Sequence, residues 1–266
     1  MPSPAKRPAA RRNRPTPPRL YDSMAASWES AGQPGFQHKM VYGDRAAGRF
    51  LGLIRMDPMM RSGLHQHQGV ATSYFLAGTI TDYGCTIQQG QAGINLAGDT
   101  HDAITYDGCL LAARLEGPVI YVEAEQTHEL HLGAKQAPLP NLNPERRPDI
   151  NITVNDLQEV PTSLAGVSRA TIFDYAGTPD DRRWVSLRLQ PGASLPAHIA
   201  NGPLDWYVIA GDLQVSKAGT ARAGSFVVAE AGCTMTATSR GGCHLLAWSE
   251  APITWARGNR PDLYGF

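Results

Sequence analysis

Residues 65–78 read HQHQGVATSYFLAG, and this stretch decides the fold of the chain. Because residues two apart on a β-strand point to the same face, the side chains of His65 and His67 are expected to face one interior. Gln68 and Gly69 indicate a turn or bulge, so the sequence does not determine which alternate residues of the following strand face the same interior. That strand faces inward with either Ala71, Ser73 and Phe75 or Thr72, Tyr74 and Leu76.

An internal repeat places this stretch in a larger unit. SYFLAG (73–78) matches WYVIAG (206–211), and GCLLAARLEGPVIY (108–121) matches GCHLLAWSEAPITW (242–255). Self-similarity at a fixed spacing indicates two copies of one structural unit. We assign the first copy to residues 21–135 and the second to residues 151–266.

Both copies are predicted to be all-β. Short apolar or alternating segments such as FLGLIRM, WVSLRLQ and SFVVAE are separated by Gly, Pro, Asp and Asn, which is typical of strands joined by turns. Residues 136–150 contain four prolines and indicate the linker between the copies. No run of about 18 apolar residues is present, so we expect no membrane-spanning helix.

Charge is unevenly distributed along the chain. Residues 1–20 hold six basic residues, six prolines and no acidic residue, which predicts a disordered basic tail. The remainder carries 18 basic and 24 acidic residues, a balance that argues against nucleic-acid binding by the folded part. Its cysteines, Cys85, Cys109, Cys233 and Cys243, form no CxxC motif and are expected to be free thiols of a cytoplasmic protein.

A third histidine, His101, follows in GINLAGDTHDAI and needs only a neighbouring strand to reach His65 and His67. Three imidazoles on one side of a metal leave the opposite positions open for water, oxygen or substrate. Such an arrangement is typical of a catalytic rather than a structural metal site. The pair His128/His131 and the single residues His38 and His244 are less persuasive as ligands.

The spacing of these residues resembles the cupin family. His65 and His67 are followed by Gly78 eleven residues later, as in the first cupin motif, and residues 90–101 follow the second motif up to His101. Three positions depart from the family pattern. Met59 replaces a glycine, Leu96 replaces a proline, and Ala71 or Thr72 stands where most cupins have a metal-binding glutamate. The resemblance implies two tandem cupin barrels of the double-stranded β-helix, or jelly-roll, type.

The second copy keeps the scaffold and loses the ligands. His198 occupies the position of the first motif histidine, but Ala200 and Met235 stand where the second and third would be. We therefore expect the first barrel to bind metal and the second to be degenerate, with His198 a buried or rim residue.

Within the cupins, the first copy is similar in layout to the cupin half of ChrR-type anti-sigma factors and to 2,4'-dihydroxyacetophenone dioxygenase. The latter resemblance implies a three-histidine iron site without a carboxylate ligand. It implies a non-haem Fe(II) dioxygenase that cleaves a C–C bond in a small diketone or hydroxyketone such as a hydroxyacetophenone. Its partners would be this keto substrate and dioxygen. Tyr74 is then expected to orient the substrate and Thr72 to make a supporting hydrogen bond.

Other interpretations stay open from the sequence. Zn, Ni or Mn would also suit three imidazoles, and a Zn–water centre would support a hydrolase or lyase. The anti-sigma resemblance implies a non-catalytic metal-binding sensor, although no N-terminal Cys/His segment accompanies it. A structural cupin with an empty pocket is the third alternative. Fused barrels of this type pack like a dimer of single barrels, and further homo-oligomerisation is compatible with the sequence.

Overall fold

The computed structural model describes residues 16–82, 85–121, 151–174 and 182–266. The predicted linker, 136–150, lies outside these residues, as do His128 and His131. The described residues contain β-strands and a three-residue 3-10 helix, Val154–Asp156. They include no helix of the length and apolarity that crossing a bilayer requires.

Thirteen strands come from the described residues between positions 19 and 121. They are β1 (Arg19–Asp22), β2 (Glu29–Ser30), β3 (Phe36–Asp44), β4 (Arg49–Met56), β5 (Met60–Arg61), β6 (His65–His67), β7 (Ala71–Asp82), β8 (Cys85–Gln88), β9 (Gln91–Asn95), β10 (Thr100–His101), β11 (Ile104–Thr105), β12 (Cys109–Leu115) and β13 (Val119–Tyr121).

Eleven more come from the described part of residues 152–255. They are β14 (Ile152–Thr153), β15 (Val160–Pro161), β16 (Val167–Asp174), β17 (Arg183–Leu189), β18 (Ser194–Ala200), β19 (Leu204–Val215), β20 (Gly219–Arg222), β21 (Ser225–Ala229), β22 (Thr234–Thr238), β23 (Cys243–Ser249) and β24 (Ile253–Trp255).

The first barrel is closed by two antiparallel sheets. The larger follows the order β14-β9-β7-β12-β4-β3-β2, and the smaller follows β10-β6-β13. The second barrel is a single curled sheet with the path β15-β16-β17-β23-β19-β22-β18-β24. Equivalent strands pair alike in the two barrels: β6 with β10 and β13, and β18 with β22 and β24. The prediction of two tandem all-β barrels is confirmed.

The two halves exchange strands. Strand β1 pairs with β21 of the second barrel, and β14 pairs with β9 of the first. Arg19 and Leu20, which composition assigned to the disordered tail, are therefore part of a sheet. Likewise Ile152 and Thr153, assigned to the second unit, complete the sheet of the first.

A shared apolar core joins the barrels. It combines side chains of the first half, among them Leu51, Tyr74 and Ile94, with a group of buried aromatic residues from the second. That group consists of Phe173, Trp184, Tyr207, Phe226 and Trp248. Trp184 and Trp248 stack with ring centroids 5.4 Å apart. A separate apolar cluster fills the interior of the second barrel, and another lines the interior of the first.

The repeated glycines mark a close approach between main chains. Gly78 and Gly211 have φ angles of 70° and 83°, in the left-handed region that favours glycine. A Cβ atom at Gly78 would lie 1.9 Å from the carbonyl oxygen of Gly108, and one at Gly211 would lie 2.0 Å from that of Gly242. Each copy therefore needs a glycine here for two independent reasons.

We expect Gly211→Ala to destabilise the protein more than Gly192→Ala. Gly192 has a φ of 81°, and no atom lies within 4 Å of the position that an alanine Cβ would take, so its substitution costs only the backbone strain, about 1–2 kcal/mol. At Gly211 the collision with a carbonyl adds at least about 2 kcal/mol. Urea unfolding followed by tryptophan fluorescence measures the difference, and equal losses for the two variants would contradict this account.

Candidate metal centre

The three histidines predicted from sequence converge between the two sheets of the first barrel. His65 and His67 lie on β6, and His101 on the neighbouring β10 pairs directly with His65. All three side chains are buried. One ligand nitrogen from each lies within 4.8 Å of the other two. The structure therefore forms the cluster, while metal binding by it stays a prediction.

The protonation of the cluster suits metal binding. The Nδ1–H of His65 donates to the carbonyl oxygen of Gly63 at 2.7 Å, which leaves Nε2 as the lone-pair nitrogen of that ring. Burial, and secondarily the neighbouring His101, lowers the pKa of His65 to about 4 and that of His67 to about 2. Both rings are thus neutral near pH 7, the form in which imidazole binds metals.

The spacing of the nitrogens fits a single ion. The Nε2 atoms of His67 and His101 are 2.9 Å apart. Two ligand nitrogens at right angles, each about 2.0–2.1 Å from one ion, would be separated by about 3 Å. Three imidazoles form a donor set that suits Zn, Fe or Ni. The cluster could therefore hold a divalent metal ion.

The cluster faces a cavity of about 480 Å³. Apolar side chains form most of its wall, including Phe36, Ile54, Met56, Ile80, Ile87, Leu111, Leu115 and Val119. The lining includes no Asp or Glu, and Ala71 lies in the wall where the cupin pattern led us to look for a glutamate. The described residues therefore offer the three histidines no carboxylate ligand from this cavity.

The register of β7 places Tyr74 away from the cavity, contrary to the role predicted for it. Ala71, Ser73 and Phe75 line the cavity, whereas Tyr74 is buried in the core shared with the second barrel. Tyr74 therefore cannot orient a substrate at the histidines. Burial raises its pKa.

Thr72 has a structural hydrogen-bonding role. Although it contributes to the cavity wall, its Oγ1 accepts a hydrogen bond from the Nε1–H of Trp248 at 2.9 Å and donates to the carbonyl of Arg114 at 3.4 Å. Its hydroxyl is thus engaged with the strand beside it and with the second barrel, rather than directed to a ligand of the cavity.

Comparison with known protein families decides the assignment. The family model described as "ChrR Cupin-like domain" matches residues 17–118 and again residues 147–251, one match for each barrel. The chain belongs to the ChrR cupin-like domain family. No curated protein sequence matches it significantly.

Solved structures share this cupin fold. A protein from Nostoc punctiforme described as a "putative dioxygenase" superposes with a TM-score of 0.72 at 10% identity, covering 94% of this chain and 90% of the other. Oxalate decarboxylase from Bacillus subtilis superposes with a TM-score of 0.60 at 12% identity, covering 90% and 79%. At these identities the similarity shows a common fold, with two barrels in one chain.

The second cupin barrel is filled where the first has its cavity. His198 repeats the hydrogen bond of His65, donating from Nδ1 to the carbonyl oxygen of Pro196 at 2.8 Å. Opposite it, Met235 takes the position of His101 and Trp255 that of Tyr121. His198, Ala200 and Met235 are almost completely buried among apolar side chains. This packing explains why the second barrel is stable without ligand residues.

The backbone conformation at Met59 accounts for one departure from the cupin pattern. It stands where the family has a glycine, and its φ angle is 64°. The backbone therefore keeps the left-handed conformation for which glycine is the usual residue. The side chain is 69% exposed, so it meets no steric obstacle there.

Tyr121 and His38 also belong to the cavity, although their sequence surroundings do not predict them there. Tyr121 pairs with His65 across β13 and β6, and their ring centroids are 5.7 Å apart. His38 on β3 also lines the cavity, although it stands alone in the sequence. The alternation of Phe36 and His38, both of which face the cavity, was the available signal.

We expect His65→Gln to abolish tight metal binding and His198→Gln to leave it unchanged. The two residues occupy equivalent strands with equivalent carbonyl partners, so the pair separates ligand loss from strand damage. Losing a direct ligand should weaken affinity by more than the roughly 10–100-fold typical of a supporting residue. Titration calorimetry with Zn²⁺ on the stripped proteins measures the effect. Tight binding by His65→Gln, or its loss in His198→Gln, would contradict the assignment.

Proposed function

We propose that this protein is a metal-dependent dioxygenase that cleaves a C–C bond in a small diketone or hydroxyketone such as a hydroxyacetophenone. Fe(II) is the favoured metal. The observation that carries the proposal is a cluster of three histidines at the wall of a largely apolar cavity, to which the described part of the chain adds no carboxylate ligand. The substrate and dioxygen are the partners that this cavity would admit.

The charge of the donor set favours an anionic oxygen ligand. Neutral imidazoles leave a divalent ion with its full charge of +2, because they contribute none of their own. Asp102, next to His101, is paired with Arg61 and does not line the cavity. A bidentate enolate of a β-diketone or hydroxyketone would compensate this charge with two hard oxygen atoms.

The cavity wall favours a ketone with apolar substituents over a small dianion such as oxalate. Arg45 is the one permanently cationic residue of the described lining, and its guanidinium is paired with Glu29 at 2.5 Å. A dicarboxylate would bring a second charge into an apolar space without a partner, which is strongly unfavourable. Side chains such as Phe75 and Leu111 would instead pack against an aromatic ring or an alkyl group.

The protein itself would hold the ligand rings in position and exclude water from the reacting ketone. Fe(II) bound at the three histidines would supply open coordination positions and redox chemistry toward dioxygen. The hydrogen bond from His65 to Gly63 fixes one ligand ring, and burial on β6 and β10 holds the rings of His67 and His101. Apolar walls exclude water around the reacting ketone, which protects it until the C–C bond is cleaved to give a carboxylic acid and a second oxidised product.

A second candidate function follows from the family assignment. The matching family model is named for ChrR, which supports a non-catalytic metal-binding sensor. A Zn-dependent hydrolase or lyase would use the same three histidines. In support of a cytoplasmic location for each of these, Cys109, Cys233 and Cys243 are buried thiols that form no disulfide.

Oxygen uptake with a panel of ketones tests the proposal. The protein is purified anaerobically, its metal content is measured, and β-diketones and hydroxyacetophenones are added with an oxygen electrode. We expect about one Fe per chain and uptake that depends on substrate. Substitution His101→Met, which copies the second barrel, should lower uptake at least about 100-fold because it removes a metal ligand.

The same experiment separates the alternatives. Bound metal with no uptake for any ketone would favour the sensor, and hydrolysis or hydration with Zn²⁺ bound would favour the lyase or hydrolase. A protein that neither carries metal nor takes it up would leave a structural role. His198→Gln is the matched control and should retain full uptake.

A further inference from the structure

His38 faces the cavity from the wall that the metal centre does not occupy. It lies on β3 and pairs with Ile54, which pairs in turn with Leu111, and Leu111 with Phe75. These four residues form one row across the larger sheet, and all four line the cavity. The three clustered histidines come from the smaller sheet. A ligand in the cavity is therefore flanked by both.

The surroundings of His38 suit proton uptake. The Oε2 atom of Glu29, from β2, lies 3.7 Å from its Nε2, and Arg45 from the β3–β4 connection is paired with the same carboxylate. From β4, the apolar ring of Phe50 packs edge-on against the imidazole with centroids 5.8 Å apart. Burial, and then Arg45, lower the pKa of His38 below 6.5, opposed by Glu29. The ring is neutral near pH 7, and Glu29 is placed to stabilise it once protonated.

The other titratable groups that line the cavity cannot take this role. The nitrogens of the three clustered histidines are assigned to the metal, and the guanidinium of Arg45 stays protonated. Burial raises the pKa of Tyr121 above its ordinary value of 10. Among the described lining residues, His38 is thus the neutral base that remains.

A ketone that binds as its enolate must lose a proton inside the cavity. We propose that His38 is the general base that accepts it. The C–H bond between the carbonyl groups, or the corresponding enol O–H bond, breaks. Its electron pair stays on the enolate, and the proton forms an N–H bond on the imidazole of His38. The imidazolium then lies between the enolate and Glu29, and the proton stays on the protein rather than passing to the buffer. The inference rests on the proposed function only in taking an ionisable ketone as the ligand.

Counting protons during ligand binding tests the inference without oxygen chemistry. Zn²⁺-loaded protein is titrated with acetylacetone at pH 7 in buffers of different ionisation enthalpy. We expect close to zero protons released per ligand for the wild type. With His38→Gln we expect about one, because the proton then passes to the buffer. His244→Gln is the matched control: that histidine is buried against Ser186 at 2.8 Å, away from the cavity, and should behave as wild type.

The pH dependence of enolisation gives a second readout. Deuterium exchange at the central carbon of bound acetylacetone should fall in the wild type as the pH drops through the His38 pKa, below 6.5, because a protonated ring cannot accept a proton. His38→Gln should lack this acidic limb and exchange about 100-fold more slowly, as expected for loss of a general base. Zn²⁺ content and thermal midpoint confirm that the variant is intact.

Each outcome decides between the two proposals. Equal proton counts for wild type and His38→Gln, or an acidic limb retained in the variant, would overturn the role of His38. Proton retention by the wild type with no oxygen uptake by the Fe(II) form would support His38 and overturn the dioxygenase. A metal-loaded wild type that binds no diketone would overturn both.

Discussion

Residues 71–75 of strand β7 pack against the first barrel's cavity on one face and the second barrel on the other, and the rest of the molecule depends on how these side chains are divided. Ala71, Ser73 and Phe75 face the cavity, whereas the ring of Tyr74 and the hydroxyl of Thr72 are directed to the second barrel. A shift of one residue would exchange the two sets, because the side-chain period of a strand is two. The same twelve-residue strand thus sets the shape of the candidate site and the fit between the halves.

The interface on the outer side of β7 combines apolar packing with buried charge. Arg114 is 8% exposed and its Nε donates to the Oδ2 atom of Asp205 in the second barrel at 3.1 Å. It is also paired with Glu116 and Glu250, so its charge is compensated from both halves. A buried cation with one partner removed is strongly destabilising, whereas a fully paired one fixes the orientation of the groups around it. Arg114 therefore links the two barrels through charges that each half needs from the other, because losing a partner would leave a buried charge uncompensated.

Much of this architecture follows from the sequence because it rests on local patterns. The spacing of His65 and His67 predicts a shared face, and the repeat predicts two similar barrels. The sequence does not determine which alternate side chains of β7 face the cavity, because that depends on the backbone path through Gln68 and Gly69. The partner of Thr72 is Trp248, which is distant in sequence. The sequence alone therefore allows Tyr74 in the cavity, whereas in the structure its neighbour Phe75 is the β7 aromatic residue that lines it.

The positions of His38 and of strand β1 also could not be predicted from local sequence. His38 has no histidine or cysteine near it in the sequence, and only the pairing of β3, β4, β12 and β7 brings it to the cavity. Residues 19 and 20 belong to a stretch whose composition is typical of disorder, yet Leu20 pairs with Val227. Both properties arise from contacts between distant segments, which local composition does not encode.

The exchange of β1 and β14 has a consequence for how the two halves stay together. Each half completes a sheet of the other through main-chain hydrogen bonds, so a nick between Tyr121 and Asn151 would leave two fragments that remain associated. Separating them would expose unpaired sheet edges in both. Because both halves belong to one chain, their association does not depend on protein concentration, as that of two separate subunits would. The second barrel can therefore have a solid interior without ligand residues and still be paired one to one with the barrel that has the three histidines.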